Sequence, residues 1–188
     1  MTRSAAGLLL THGAGGDRTH HGLVAVDEAL GIPVERVDFP YRREGRRAPD
    51  RAPKILPFID AEAHALADRL GVDAGAILLG GRSFGGRMCS MAVAEGLPAA
   101  GLVLLSYPLH PPGKPEKLRV GHFGALEVPC LFISGERDPF GTPDEFAHHV
   151  AAIPGEVTLS FVAGNHDPKP SVDAEIATIV AEWVDTTF

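Results

Sequence analysis

The chain's clearest chemical signal is a serine held between glycines in the stretch Gly81–Gly85, Gly-Arg-Ser-Phe-Gly. The apolar run Ile77–Leu79 precedes it and an Ala/Met/Val-rich segment follows, which is typical of a nucleophile elbow between a buried strand and a helix. Gly81 and Gly85 would give the tight turn room, and the N–H groups of the following helix would face the Ser83 oxygen. The alternative is an ordinary glycine-rich strand-to-helix turn. We favour a nucleophilic Ser83.

A serine nucleophile needs a base and an acid that orients the base. Asp138 follows an apolar run, and Pro139 biases its backbone toward an extended conformation. His166 follows a later apolar run on a glycine-containing loop. We predict that His166 is the base and Asp138 its orienting partner, with Glu136 as the second candidate acid. The alternatives are a surface turn, in which Asp138 pairs with Arg137 or caps a helix, and a solvated loop histidine.

The predicted site also needs N–H donors for a developing oxyanion. The turn Thr11–Gly16 is rich in glycine, so its backbone could approach a bound carbonyl closely. We predict that the N–H groups of Ala14 and Phe84 form the oxyanion hole, and that His12 has a structural hydrogen-bonding role. The alternative donors in the turn are Gly13 and Gly15. The alternative to an oxyanion hole is that Thr11–Gly16 is only a flexible turn into the next helix.

Further residues are expected at the rim where the strands end. The candidate substrate contacts there are Gly13, Arg82, Tyr107 and His110. Arg82 would bind either a substrate carboxylate or an acid of the protein, and the sequence leaves both open.

The chain has nine histidines, which raises the question of a metal site. The adjacent pairs His20-His21 and His148-His149 are poor chelators on a helix, because neighbouring side chains point about 100° apart. No His/Cys/carboxylate spacing matches a zinc site. We therefore predict no metal and no cofactor.

Charge and composition narrow the function classes. The net charge of −7 argues against nucleic acid and anionic membrane as partners. Cys89 and Cys130 lie in apolar segments, as buried thiols of a reduced compartment do. The stretch Met1–Leu10 has too short an apolar core for a leader peptide, which favours a cytoplasmic protein. The basic stretch Arg42–Arg51 is either a solvated loop or part of the rim that favours an anionic substrate.

Apolar runs alternate with helical patterns along the whole chain. The predicted strands are Gly7–Thr11, Val34–Phe39, Ala76–Gly80, Gly101–Ser106, Pro129–Ser134 and Val157–Val162. Helices are predicted from Pro57 to Leu70, from a capping box at Thr142, and from about Ser171. Continuous apolar strands alternating with helices indicate a three-layer α/β/α sandwich of about six mostly parallel strands. We expect residues 1–188 to form a single domain.

One connection departs from this regularity. The segment Tyr107–Leu126 is rich in proline where a crossover helix would be expected, and we predict only a short helix near Glu116–Val120. Because Tyr107 follows a strand's C-terminal end, the loop should lie on the same rim as Ser83.

These motifs together resemble a small α/β-hydrolase of the dienelactone-hydrolase-like type. The resemblance is closest to a lidless group that includes the testis-expressed hydrolase-like proteins and the hydrolase-like region of a chromatin acetyltransferase complex subunit. The matching segments are Thr11–Gly15, Phe39–Tyr41 with Gly45–Arg47, Gly81–Arg87, Tyr107–Pro115, Asp138–Gly141 and Asn165-His166. The resemblance implies Ser83, Asp138 and His166 as a catalytic triad in α/β-hydrolase order, and a minimal fold without a cap domain.

The resulting prediction is a serine hydrolase that cleaves an ester, thioester or related bond of a small-molecule acyl substrate through an acyl-enzyme. The principal alternative is a catalytically silent hydrolase-fold module that binds a partner. Peptidase or acyltransferase activity on the same scaffold is a third hypothesis, because the triad leaves the acyl acceptor open.

Overall fold

The apolar runs of the sequence pair into a parallel sheet. The computed structural model describes residues 4–188, and within that range six strands form one sheet in the order β2-β1-β3-β4-β5-β6, every pair parallel. The strands are Gly7–Thr11 (β1), Val34–Val37 (β2), Ile77–Arg82 (β3), Gly101–Leu105 (β4), Cys130–Gly135 (β5) and Val157–Val162 (β6). The chain direction across the sheet reverses between β1 and β3, and such a reversal opens a crevice at the strands' carboxyl ends.

Helices cover both faces of this sheet. They are His21–Ala29 (α1), Pro40–Arg43 (α2), Ala52–Leu70 (α3), Phe84–Ala94 (α4), Pro143–His149 (α5) and Asp173–Thr187 (α6). Alternate strand residues enter opposite layers: Leu8 and Leu10 pack with α1 and α6, whereas Leu9 packs with α3 and α4. The predicted three-layer α/β/α sandwich of six parallel strands is therefore confirmed, and no cap interrupts the described residues.

Two of the three predicted helix starts agree with the structure, and the third was wrong. Thr142 caps α5 as predicted, since its hydroxyl accepts the Glu145 N–H while the Glu145 carboxylate accepts the Thr142 N–H. A 3₁₀ turn places the start of α6 at Asp173, close to the predicted residue. Helix α3 begins at Ala52, five residues before the predicted Pro57. The missing N–H of Pro57 is tolerated because Pro53, whose carbonyl it would have bonded, is exposed to water.

The connection after β4 contains no helix near Glu116–Val120, so that prediction was wrong. Within the described connection only Phe123–Ala125 forms a 3₁₀ turn. The chain folds back on itself instead: the Arg119 N–H donates to the Leu109 carbonyl and the Tyr107 hydroxyl donates to the Arg119 carbonyl, both at 2.7 Å. These long-range bonds engage the Arg119 N–H and carbonyl, which a helix at Glu116–Val120 would have used.

Two further observations concern the predictions from composition. Both cysteines, Cys89 and Cys130, are free and buried, as predicted. Among the helices of residues 4–188, none is long and apolar enough to cross a bilayer. Residues 1–3, which belong to the stretch assessed as a leader, lie outside the described residues.

Candidate active site

Ser83 lies in the turn from β3 to α4 with a backbone that few side-chain-bearing residues adopt. Its φ of 50° and ψ of −113° fall in a strained region, and such strain is characteristic of functional turns. The turn is possible because Gly81 and Gly85 pack directly on β1. A Cβ on either glycine would collide with the Thr11 side chain. The glycines therefore hold the serine above the sheet edge, as the sequence motif predicts.

The three side chains predicted to form a triad converge in the structure. Ser83 Oγ lies 2.8 Å from His166 Nε2, and His166 Nδ1 lies 2.8 Å and 3.0 Å from the two carboxylate oxygens of Asp138. Asp138 is buried at the end of β5, and His166 follows β6 on a half-buried loop. The second candidate acid, Glu136, is exposed, and its side chain makes no hydrogen bond to the described residues.

The hydrogen bonds around Asp138 favour one form of the imidazole. The Phe140 N–H donates to Asp138 Oδ1 at 2.8 Å, which holds the carboxylate in the plane where it meets His166. A carboxylate can only accept, so Nδ1 of His166 carries the proton and Nε2 is free to accept from the Ser83 hydroxyl. The Phe140 ring also stacks on the imidazole at 3.8 Å. Sequence reasoning missed Phe140, although its position two residues after Asp138 was an available signal.

Arg82 connects the turn that carries Ser83 to the loop that carries His166. Its guanidinium donates to the His166 carbonyl at 3.1 Å and pairs with the Asp167 carboxylate at 2.8 Å. Burial would raise the pKa of Asp167, but the Arg82 charge and a hydrogen bond from His20 lower that pKa below its usual value. Of the two partners that the sequence left open for Arg82, the structure provides the protein acid.

The glycine-rich turn after β1 is oriented by His12. The Phe39 N–H donates to His12 Nε2 at 3.1 Å, so Nδ1 must carry the proton that it donates to the Gly13 carbonyl at 2.8 Å. Burial lowers the pKa of His12, which agrees with a neutral ring. Because the peptide is trans, fixing the Gly13 carbonyl turns the Ala14 N–H the opposite way.

Both predicted oxyanion donors are unengaged. Within residues 4–188, neither the Ala14 N–H nor the Phe84 N–H donates a hydrogen bond to the protein. The Phe84 N–H belongs to the first turn of α4, where N–H groups have no intrahelical acceptor. The turn needs its glycines: Gly15 has a φ of 73°, and a Cβ on Gly13 would lie 2.8 Å from the Arg82 guanidinium.

Two of the candidate rim residues lie in the interior. Tyr107 is fully buried, with its hydroxyl bonded to the Arg119 carbonyl. His110 is 5% exposed and bonds to the Glu145 carboxylate at 3.1 Å. Both side chains therefore anchor the proline-rich loop to the protein interior. By contrast, Gly13 and Arg82 lie beside Ser83.

The basic stretch Arg42–Arg51 is largely neutralised by its own surroundings. Arg46 pairs with both Glu44 and Asp50, and Arg43 pairs with Glu62 on α3. This arrangement matches the solvated-loop interpretation of the sequence.

One cluster has the donor types of a metal site. Ligand atoms of His20, His21 and Asp167 lie within 4.8 Å of one another. The expectation that adjacent histidines diverge fails for His20-His21, because His20 precedes α1 as its N-cap and the two rings stack at 4.3 Å. However, the Arg82 guanidinium already occupies the Asp167 carboxylate, and a second cation there would be repelled.

His122 contacts helix α4 through Ser90. Its Nε2 lies 2.8 Å from the Ser90 hydroxyl. Burial, and then the charge of Arg87, lower the pKa of His122 to about 4. The folded protein therefore keeps this imidazole neutral where an unfolded chain, with a histidine pKa of about 6.5, would protonate it.

This difference predicts a loss of stability on acidification. Between pH of about 6.5 and about 4 the unfolded state binds more protons at His122, so stability falls as pH falls through this window and levels off below it. His122→Gln should therefore lose less thermal stability than the wild type between pH of about 7.5 and about 4.5. Thermal denaturation at both pH values measures this, and His148→Gln on the exposed face of α5 is the control. An equal loss in wild type and His122→Gln would contradict the prediction.

Comparison with known proteins places the chain among hydrolase folds. Residues 4–183 match the family model described as an alpha/beta hydrolase domain. Similar solved structures include a dienelactone hydrolase from Anabaena variabilis, with a TM-score of 0.79 and 17% identity over 98% of this chain and 88% of that chain. An alpha-beta serine hydrolase homologue from Coxiella burnetii has a TM-score of 0.77 and 16% identity, covering 97% and 86%. The type II thioesterase of the borrelidin biosynthetic cluster has a TM-score of 0.70 and 20% identity, covering 96% and 93%. At identities of 16–20%, the similarity to these three structures shows a shared fold.

Proposed function

Because the chain belongs to the alpha/beta hydrolase domain family, we propose that it is a serine hydrolase that cleaves an ester, thioester or related acyl bond. The observation that carries this proposal is the continuous hydrogen-bond chain from the Ser83 hydroxyl through His166 to the buried Asp138 carboxylate. A nucleophile, a base and an orienting acid in contact are the minimum that acyl transfer by serine requires.

The proposed reaction has two halves. Ser83 Oγ attacks the acyl carbonyl carbon while His166 Nε2 takes the hydroxyl proton, and the N–H groups of Ala14 and Phe84 bind the oxyanion of the tetrahedral intermediate. His166 then gives that proton to the oxygen or sulfur of the leaving group. The alcohol or thiol departs, and the acyl group stays bonded to Ser83 Oγ. Water, deprotonated by His166, attacks the acyl-enzyme and releases the acid. His166 gives up each proton that it takes, and Ser83 Oγ regains one when the acid is released. Both side chains therefore end in their starting protonation states.

The surroundings of the site suggest the class of substrate. With no cap over the strand ends, the site should be open and suit a small or exposed acyl group. The missing cap and the proline-rich loop also support the closer kinship inferred from the sequence, to the lidless group with the testis-expressed proteins and the chromatin-complex subunit. We further propose that residues 1–188 act as one domain, in the cytoplasm, without metal or cofactor, on a small molecule and not on nucleic acid or membrane.

A fluorophosphonate probe tests the proposal directly. The wild type should be labelled on Ser83, as located by mass spectrometry of the labelled peptide, and Ser83→Ala should take no label. Ser106→Ala is a matched control, because Ser106 ends the neighbouring strand and has a comparable φ of 49°. A folded wild type that takes no label and cleaves no activated short-chain ester would instead favour the silent binding module.

The bonds of Arg82 predict a positioning role for this residue. Arg82→Gln would lose the ion pair with Asp167 and weaken the hold on the His166 carbonyl, so we expect kcat to fall about 10–100-fold with KM nearly unchanged. Steady-state kinetics on an activated ester measures both constants. Arg137→Gln, an exposed change on the Asp138 loop, should stay near wild type. A parallel rise in KM, or no change at all, would contradict this role.

A further inference from the structure

Four arginines in this part of the molecule are partly buried, and two of them have no acid partner. Arg82 and Arg42 each contact a carboxylate. By contrast, Arg87 and Arg119 have no carboxylate oxygen within 4.0 Å in the part of the chain that the structure describes. In a protein with a net charge of −7, partly buried and unpaired guanidinium groups are unexpected.

Arg87 lies one helical turn after the serine. Its N–H donates to the Ser83 carbonyl at 3.0 Å, so the two Cα atoms are separated by roughly 6 Å along the axis of α4. Helical side chains lean toward the N-terminus of their helix, which for Arg87 is the end that carries Ser83. The Nε atom of Arg87 is buried and has no hydrogen-bond partner among the described residues. Leaving such a donor unpaired is costly, and an acceptor from a ligand would remove that cost.

Arg119 approaches the same place from the proline-rich loop. Both backbone groups of Arg119 are fixed, the N–H by Leu109 and the carbonyl by the Tyr107 hydroxyl. Burial, and then the nearby charge of Arg87, lower the pKa of Arg119. Two like charges are therefore held close together by the fold. An anion placed between them would turn a repulsive arrangement into an attractive one.

The side chains beside Arg87 add no negative charge that would repel an anion. The Ser90 hydroxyl and His122 bond to each other at 2.8 Å next to Arg87, and both are neutral. A guanidinium pair is well suited to an oxyanion with several acceptor oxygens.

We propose that Arg87 and Arg119 form an anion-binding subsite next to Ser83, which selects acyl substrates that carry a carboxylate or a phosphate group. The inference deepens the proposed serine hydrolase function and rests on it. The anionic group remains chemically unchanged, and the hydrolysed bond is the acyl bond at Ser83. The subsite would make the enzyme discriminate between acyl substrates by their charge.

Matched esters test this selection. We expect the wild type to hydrolyse p-nitrophenyl hydrogen adipate with a higher kcat/KM than the uncharged p-nitrophenyl hexanoate. Arg119→Gln should lower kcat/KM for the adipate ester about 10–100-fold and leave the hexanoate ester nearly unchanged. Arg87→Gln should act in the same way, and Arg119→Lys should recover part of the loss. An ω-phosphorylated p-nitrophenyl pentanoate separates phosphate from carboxylate as the preferred anion.

The control removes the same charge elsewhere on the loop. Lys117→Gln alters an exposed cation of the proline-rich loop and should leave both esters near wild type. If the wild type shows no preference for either anionic ester, or if Arg119→Gln slows charged and uncharged esters equally, the subsite is refuted. Circular dichroism and thermal denaturation of each variant show whether a loss reflects misfolding.

A binding measurement separates failure of the subsite from failure of the proposed hydrolase. Calorimetric titration of Ser83→Ala with monomethyl adipate should give binding that Arg119→Gln weakens, and uncharged dimethyl adipate should bind less. If the wild type cleaves no ester but this difference holds, the hydrolase proposal fails and the subsite stands. If monomethyl and dimethyl adipate bind alike, or neither binds, the subsite fails whatever the activity.

Discussion

Ser83→Ala is expected to abolish ester hydrolysis, with kcat falling roughly 10⁴–10⁶-fold. Alanine cannot form the acyl-enzyme, and the single hydrogen bond that activates the nucleophile, from Ser83 Oγ to His166 Nε2 at 2.8 Å, disappears with it. His166→Ala should cost a similar amount, because the hydroxyl then has no base. Stopped assays of a p-nitrophenyl ester, corrected for spontaneous hydrolysis, measure both losses.

The double variant makes this prediction more specific. Residues that act as one unit give losses that do not add, so Ser83→Ala/His166→Ala should be no slower than Ser83→Ala alone. Additive losses would mean that the two side chains act independently, which a shared proton transfer does not allow. The substitutions should leave thermal stability nearly unchanged, since both side chains are only partly buried.

Asp138→Asn is expected to reduce kcat about 10⁴-fold while preserving the fold. The Phe140 N–H donates to Asp138 Oδ1, so an asparagine would keep its oxygen there and turn its NH₂ group toward His166. The NH₂ group would replace Oδ2, which is the nearer oxygen to His166 Nδ1 at 2.8 Å, so it favours an Nδ1 that accepts and a ring proton on Nε2. A protonated Nε2 cannot accept the Ser83 proton, so the base would be present in the wrong tautomer.

The chain offers a matched control for this exchange. Glu136→Gln makes the same carboxylate-to-amide change two residues earlier, on an exposed side chain without a bond to His166, and should leave kcat within about 2-fold of wild type. If Glu136→Gln lowered kcat more than Asp138→Asn does, the acid that orients His166 would be Glu136 and not Asp138. We also expect Asp138→Asn to react slowly with the fluorophosphonate probe, with the label still on Ser83.

The positions of the strands could be predicted from sequence because they depend on local properties. The four inner strands β1, β3, β4 and β5 are buried and appear in the sequence as almost continuous apolar runs. The edge strands β2 and β6 are less buried and carry polar residues such as Glu35 and Thr158, so their signal is weaker. The carboxyl ends of such strands share an edge, so chemistry-bearing residues after β3, β5 and β6 could be expected to meet. The order of strands and loops in the sequence is therefore enough to predict that Ser83, Asp138 and His166 lie close together.

The contacts that hold these residues in place could not be predicted, because they depend on side-chain directions across distant segments. The stacking of Phe140 on His166 and the bond from Phe39 to His12 leave no periodic pattern in the sequence. The fold-back of the proline-rich loop escaped prediction for the same reason, since Arg119 is fixed by residues that lie ten or more positions earlier.

The packing of α1 against α6 has a consequence for the order in which the molecule is completed. His21 on α1 bonds to Asp173 on α6 at 2.7 Å, so α1 gains this partner only after the chain as far as α6 has been synthesised. During translation, the turn bearing Ser83 can emerge and pack on β1 while His166 is still unmade. Until His166 has left the ribosome, the Ser83 hydroxyl of a nascent chain has no imidazole that could accept its proton.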